Sequence, residues 1–232
     1  MVTITTPKGT VFGERECRLI RQLESVGFIR WSNDGFTLKS GVHSHIYVCG
    51  REDLTQNIPV LKDIGAHVAA AFCREVESRI YKSDQLRPCL IGVPMAGNSL
   101  AQAAAFSSPG MAYNVMRPAK KAYGANQTWV DGKPEPDKFV YATVDNVITD
   151  GASKRETATR LLEDGYDAYA MQHFVLVDRE VAGVVQLASE GIQVIPLWKL
   201  RDLVFAFVEL GLWPEERLHA LNTEIVDHFK FM

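Results

Sequence analysis

Long hydrophobic runs are missing from this sequence, and none approaches the roughly 18–20 apolar residues that a membrane-spanning helix requires. An excess of one charge is missing as well. Lys and Arg number 25 against 28 Asp and Glu, a net charge of −3, which gives no bulk attraction to nucleic acid or to an anionic lipid surface. Cysteine is scarce: four residues in 232, at positions 17, 49, 73 and 89, with no pair at CxxC spacing. That excludes a disulfide framework and the usual zinc patterns, and predicts reduced thiols in a cytoplasmic chain. The first ten residues, MVTITTPKGT, lack the basic-then-apolar layout of a secretory signal. Internal repeats and low-complexity segments are absent too.

What remains is an ordinary globular composition, 47% hydrophobic and 23% charged, sufficient for one large domain or one domain with a small attachment. Residues 13–27 place Cys17, Leu19, Ile20, Leu23 and Val26 at helical spacing, with Gly27 as a stop. FIRWSNDGFTLKSG predicts two short strands around a turn at Asn33-Asp34-Gly35, and SHIYVCG a further strand. A helix is expected from Asn57 to about Tyr81. Beyond it strands alternate with helices: CLIGV, an alanine-rich helix, MAYNVM, then FVYATVDNVI, SKRETATRLLEDG, AYAMQHFVLVD, VVQLASEG and IQVIPL. That alternation predicts an α/β fold with a mostly parallel sheet flanked by helices. Two terminal helices are expected around Trp213-Pro214. The segment 117–138 has no periodicity and is rich in Pro, Gly, Asn and Lys, as a functional lid would be.

One turn carries chemistry. In open α/β sheets the ligand crevice lies at the carboxyl ends of the strands, and Thr149-Asp150-Gly151-Ala152-Ser153 stands there, between an apolar strand and a helix. Small residues let backbone N–H groups approach a ligand, and the helix dipole favours an anion, so the turn suits a phosphate monoester. Asp145 can accept hydrogen bonds from a ribose diol. The same residues also suit a plain strand–turn–helix with Ser153 as N-cap. His43 and His45 stand at i, i+2 with no carboxylate at metal spacing, so no zinc site is expected. Ser44 and Ser153 show no His–Asp arrangement in sequence, which argues against a serine hydrolase.

VDNVITDGAS resembles the phosphoribosyl-pyrophosphate motif of type I phosphoribosyltransferases, and four further segments narrow the resemblance to orotate phosphoribosyltransferases. GFTLKSGVHSHIYVCGR (35–51) is similar to that family's N-terminal signature, IGVPMAGNSLA (91–101) to its pyrophosphate loop, MRPAKKAYG (116–124) to the start of its catalytic loop, and LVDRE (176–180) to its Asp-Arg segment. Asn146 stands at the second acidic position of the motif. Pro118 and Tyr123 replace a Lys and a His of the loop, Cys49 replaces an Asp of the N-terminal signature, and Gly183 remains of a double glycine.

The resemblance implies a type I phosphoribosyltransferase fold with a small N-terminal hood (1–56) contributing to the base site. A core (57–198) would carry a mobile loop at about 117–138, and C-terminal helices (199–232) would pack on the core. It implies transfer of a phosphoribosyl group to orotate with Mg²⁺, in a cytoplasmic homodimer whose loop acts in trans, without nucleic-acid or membrane partners. Asp145, Asn146, Thr149, Asp150, Gly151, Ala152, Ser153, Met95, Ala96, Gly97, Arg117, Lys120 and Lys121 would bind phosphoribosyl pyrophosphate, with Lys121, Arg117 and Asp145 catalytic. Lys39, Tyr47, Thr149 and Arg179 would bind orotate. Out of that context Arg117, Lys120 and Lys121 read as a solvated charge run, Lys39 as a surface lysine and Arg179 as a structural salt bridge. A transferase for another base, or a binding protein without turnover, would share these motifs.

Overall fold

The computed structural model describes residues 2–38, 41–50, 52–80, 86–119, 128–130 and 132–230. Its centre is a parallel sheet of five strands: β5 (Arg87–Gly92), β6 (Ala112–Val115), β7 (Phe139–Ile148), β8 (Gln172–Asp178) and β9 (Gln193–Lys199), in the order β6-β5-β7-β8-β9. Between them run α4 (Ala96–Ser107), α5 (Ala152–Glu163) and α6 (Gly183–Ser189). α1 (Glu14–Ser25), the short α2 (Glu52–Gln56) and the long α3 (Ile58–Ile80) precede the sheet, and α7 (Leu200–Glu209) and α8 (Glu215–Lys230) follow it.

Side chains alternate across the sheet, as strand geometry requires. Leu90, Ala142, Val144, Phe174 and Leu176 face a core shared with α1, α3, α4, α7 and α8. Cys89, Ile91, Tyr141 and Val175 face a second core under α5 and α6. Burial on both faces explains why these strands read as nearly continuous apolar runs.

The N-terminal region carries two antiparallel pairs, the short β1 (Ile4–Thr5) with β2 (Val11–Phe12), and β3 (Ile29–Thr37) with β4 (His43–Val48). The structure corrects the expected turn at Asn33-Asp34-Gly35. Residues 29–37 form one strand whose register shifts between Trp31 and Phe36, so this segment is a bulge. Trp31 Nε1 donates to Asn33 Oδ1 at 2.8 Å, the Asp34 amide donates to Ser32 Oγ at 3.2 Å, and Gly35 takes a φ of 73°. The reversal comes later, where the Leu38 amide donates to the Val42 carbonyl at 2.8 Å. The hairpin packs on the last helices: the guanidinium of Arg217 lies 5.4 Å from the Trp31 ring and 4.8 Å from the Trp213 ring.

Candidate active site

With β5 to β9 counted one to five, the strand order is 2-1-3-4-5. In this doubly wound arrangement the ligand crevice opens where the order reverses, between the first and third strands. Those strands are β5 and β7, and the two glycine turns predicted as anion loops follow them: Pro94–Asn98 after β5 and Thr149–Ser153 after β7. A cleft of about 560 Å³ lies there, lined by Pro94, Met95, Ala96, Asp145, Asn146, Val147, Thr149, Asp150, Ala152 and Ser153, with Leu38, Tyr47 and Val48 from the hairpin and Arg179 from the end of β8.

Backbone packing fixes the turns. A Cβ on Gly97 would meet the Val144 carbonyl oxygen at 2.1 Å, and one on Gly183 would meet that of Thr149 at 1.9 Å. Both positions therefore exclude any side chain, and both brace the chain around the phosphate turn. Gly151, with φ 81°, is the N-cap of α5, so Ser153 lies inside the helix and is not its cap. The Asp150 carboxylate accepts from the Ala152 amide at 3.1 Å.

The structure adds a residue that sequence reasoning passed over. Lys154 lies in the first turn of α5, yet is only 2% exposed. Its ammonium donates to Asp145 Oδ2 at 2.6 Å, to the Val147 carbonyl and, at 3.4 Å, to Ser153 Oγ. Asp145 Oδ1 accepts from the Asn146 amide at 2.8 Å. The carboxylate predicted to hold the ribose is thus paired with an internal cation, each oxygen keeping a lone pair for a ligand. The donor set beside the phosphate turn, carboxylates and hydroxyls, is the all-oxygen chemistry that suits Mg²⁺. No group of three or more His, Cys, Asp or Glu that could hold a metal gathers among the described residues.

Arg179 forms the far wall, 4% exposed. Its Nη1 donates to the Ile46 carbonyl at 2.9 Å and its Nη2 to Ser44 Oγ at 2.8 Å. Burial pushes its pKa down to about 10, while the charge of Glu224 acts in the opposite direction. Arg117 does not line the cleft. Its Nε donates to the Trp129 carbonyl at 3.1 Å, at a hairpin base where the Arg117 amide donates to the Thr128 carbonyl at 2.8 Å. Arg160 of α5 holds the same base, donating to the carbonyls of Arg117 at 2.9 Å and Pro118 at 2.8 Å. Lys39, Lys120 and Lys121, like Tyr123, lie outside the described residues.

Comparison with known proteins bears on this geometry. No protein-family model matches the chain. It is, however, 30% identical over 167 residues to an orotate phosphoribosyltransferase of Methanothermobacter thermautotrophicus, covering 72% of this chain and 83% of the relative. The chain belongs to the orotate phosphoribosyltransferase family. Solved structures of lower identity agree in fold. An orotate phosphoribosyltransferase from Aeropyrum pernix superposes with a TM-score of 0.59 at 22% identity, over 84% of this chain and 99% of the other. A UMP synthase from Leishmania donovani gives a TM-score of 0.71 at 19% identity, over 93% of this chain, which spans only 43% of that longer protein. No helix among the described residues is long and apolar enough to cross a membrane.

Proposed function

We propose that this chain transfers the 5-phosphoribosyl group of phosphoribosyl pyrophosphate to orotate, giving orotidine 5′-monophosphate and pyrophosphate, a step of pyrimidine nucleotide synthesis. The observation that carries this reading is the pair of anion turns facing one cleft at the topological switch point, in a chain of this family. The 5′-phosphate takes the amides of Gly151–Ser153 and the helix dipole behind them. Asp145, held by Lys154, accepts from the ribose diol. The Met95–Gly97 turn takes the pyrophosphate, and Arg179, with Tyr47 of the hairpin, faces the base; the resemblance adds Lys39 as a further cation for it.

Breaking the bond between ribose C1 and pyrophosphate builds positive charge on the sugar and negative charge on the leaving group. Little proton transfer is required, so positioning and electrostatic stabilisation do most of the work. Mg²⁺ on the pyrophosphate would supply part of the neutralisation, with Asp150 holding its water shell. Arg117, Lys120 and Lys121 would supply the rest from the loop. The deciding assay incubates the purified chain with phosphoribosyl pyrophosphate, Mg²⁺ and a panel of bases while following pyrophosphate release. Release with orotate alone supports the reading; release with another base moves the chain to that base; no release with any base refutes turnover.

The proposed assembly is a cytoplasmic homodimer in which the loop bearing Lys121 completes the neighbouring subunit's site. Lys121→Ala and Asp145→Ala homodimers would each be inactive. Subunit exchange would restore about a quarter of wild-type activity in an equal mixture, because half of the dimers formed hold one intact site of two. A mixture that stays inactive after exchange refutes the shared site.

A further inference from the structure

The base end of the cleft is tied to the last helix of the chain by a run of hydrogen bonds whose direction is fixed by chemistry. Arg179 can only donate, and a carboxylate only accept. Ser44 Oγ, fully buried, stands between them: it receives Arg179 Nη2 at 2.8 Å and lies 2.7 Å from Glu224 Oε2. Its single proton therefore points to Glu224, and its lone pairs receive Arg179 and the Ile46 amide, at 3.1 Å. The other carboxylate oxygen of Glu224 accepts from the His45 amide at 2.9 Å. One acidic side chain of α8 thus fixes both the strand that carries Tyr47 and, through one hydroxyl, the guanidinium in the wall of the cleft.

The geometry of the guanidinium matters as much. Its acceptors, Ser44 Oγ and the Ile46 carbonyl oxygen, lie 3.1 Å apart, a spacing that matches one edge of the fork. Two of the five N–H groups are engaged there, and the other three have no partner among the described residues. The edge containing Nε is left to meet a planar anion two-pronged.

We propose that Glu224 is a positioning residue for base recognition: through Ser44 it orients Arg179 so that its unengaged edge faces the carboxylate of the base. The inference rests on the reading of Arg179 as the base-binding cation. It assigns to the C-terminal helix a part in substrate choice beyond packing. A buried guanidinium without its distant counter-charge would also be costlier to keep ionised, so Glu224 supports the charge that the base is to meet.

The test measures KM for orotate and for phosphoribosyl pyrophosphate in Glu224→Gln, Ser44→Ala, the double variant of these two, Arg179→Ala, and Arg179→Ala combined with Glu224→Gln. Each single change along the chain is expected to raise the orotate KM roughly tenfold, as for loss of a hydrogen bond to a charged group, while phosphoribosyl pyrophosphate KM stays within about twofold. Because the residues act in series, the double variant should be no worse than the poorer single one, and Glu224→Gln should have no further effect in the Arg179→Ala background. Ser44→Ala leaves Glu224 bonded to the His45 amide and carries the test should Glu224→Gln not fold. Effects that multiply, or equal losses for both substrates, overturn the inference. If Arg179→Ala leaves the orotate KM unchanged, the base-site reading itself fails. If Arg179→Ala is effective and Glu224→Gln silent, only the relay fails.

Discussion

Replacing Lys154 by Met tests the charge balance of the phosphate motif. Methionine has nearly the length and volume of the lysine stem, so packing under α5 is kept and only the ammonium is removed. Three acceptors then lose their donor: Asp145 Oδ2, the Val147 carbonyl and Ser153 Oγ. The carboxylate matters most, because Asp145 is only 6% exposed and would be left charged with only the Asn146 amide and no counter-charge. Breaking such a buried pair from one side costs about 3–5 kcal/mol. For a chain of this size that lowers the melting temperature by roughly 6–20 °C, at about 2–4 °C per kcal/mol. Lys154→Met combined with Asp145→Asn removes both charges and should recover much of the loss, because a buried ion pair replaced as a whole is often nearly neutral. Thermal and urea unfolding of the wild type, both single variants and the double variant give the coupling energy directly. A Lys154→Met protein that melts within about 2 °C of wild type, or losses that simply add, would refute the pairing.

Asn146→Asp, which preserves shape, should keep activity, whereas Asp145→Asn should lower kcat/KM roughly a hundredfold, because it weakens the ribose acceptor and strands the Lys154 ammonium; steady-state kinetics decides. Ala182 holds a φ of 66°, so Ala182→Gly should raise the melting temperature by about 1–4 °C after allowing for the freer unfolded chain. Gly183→Ala, in contrast, drives a methyl group against the Thr149 carbonyl and should weaken phosphoribosyl pyrophosphate binding by at least about tenfold in calorimetric titration. His173 is buried, with Nε2–H donating to the Ala168 carbonyl at 3.0 Å and Nδ1 accepting from Thr143 Oγ1 at 2.9 Å, and burial lowers its pKa from 6.5. The unfolded chain then takes up a proton that the folded chain refuses, so stability present above about pH 6.5 is lost as pH falls, by at most about 1.4 kcal/mol per unit for this residue. Unfolding midpoints from pH 7.5 to 5 check this, and His173→Gln should flatten the slope.

The five sheet strands were legible because burial on both faces leaves them almost wholly apolar, as in CLIGV and HFVLVD. Their spatial order was not: nothing in β6 itself says that it turns back beside β5 to the edge of the sheet. Asn33-Asp34-Gly35 misled for a physical reason. A bulge and a hairpin turn both call for residues that tolerate a positive φ and bond to their own backbone, so the letters are the same and only the pairing with β4 distinguishes them. β1, β2 and α2 are too short for a period to show.

The two glycine turns could be placed because their requirements are local: small residues, a strand before and a helix after. Lys154 and Glu224 could not, and they fail the reading in the same way. A lysine in the first turn of a helix and a glutamate on an amphipathic helix both look like solvated charges. Each becomes meaningful only through a partner whose position the sequence does not reveal. For Lys154 that partner is nine residues away, across a turn; for Glu224 it is 180 residues away, across the fold. In both cases the charged group that sequence reasoning did identify, Asp145 or Arg179, is itself buried and would be destabilised if left alone. Such a residue demands a counter-charge or a hydrogen-bond chain somewhere in the fold. The productive search from sequence therefore begins with each candidate site residue and looks for unassigned charges that could compensate it. In this chain that search leads from Asp145 to Lys154 and from Arg179 to Glu224.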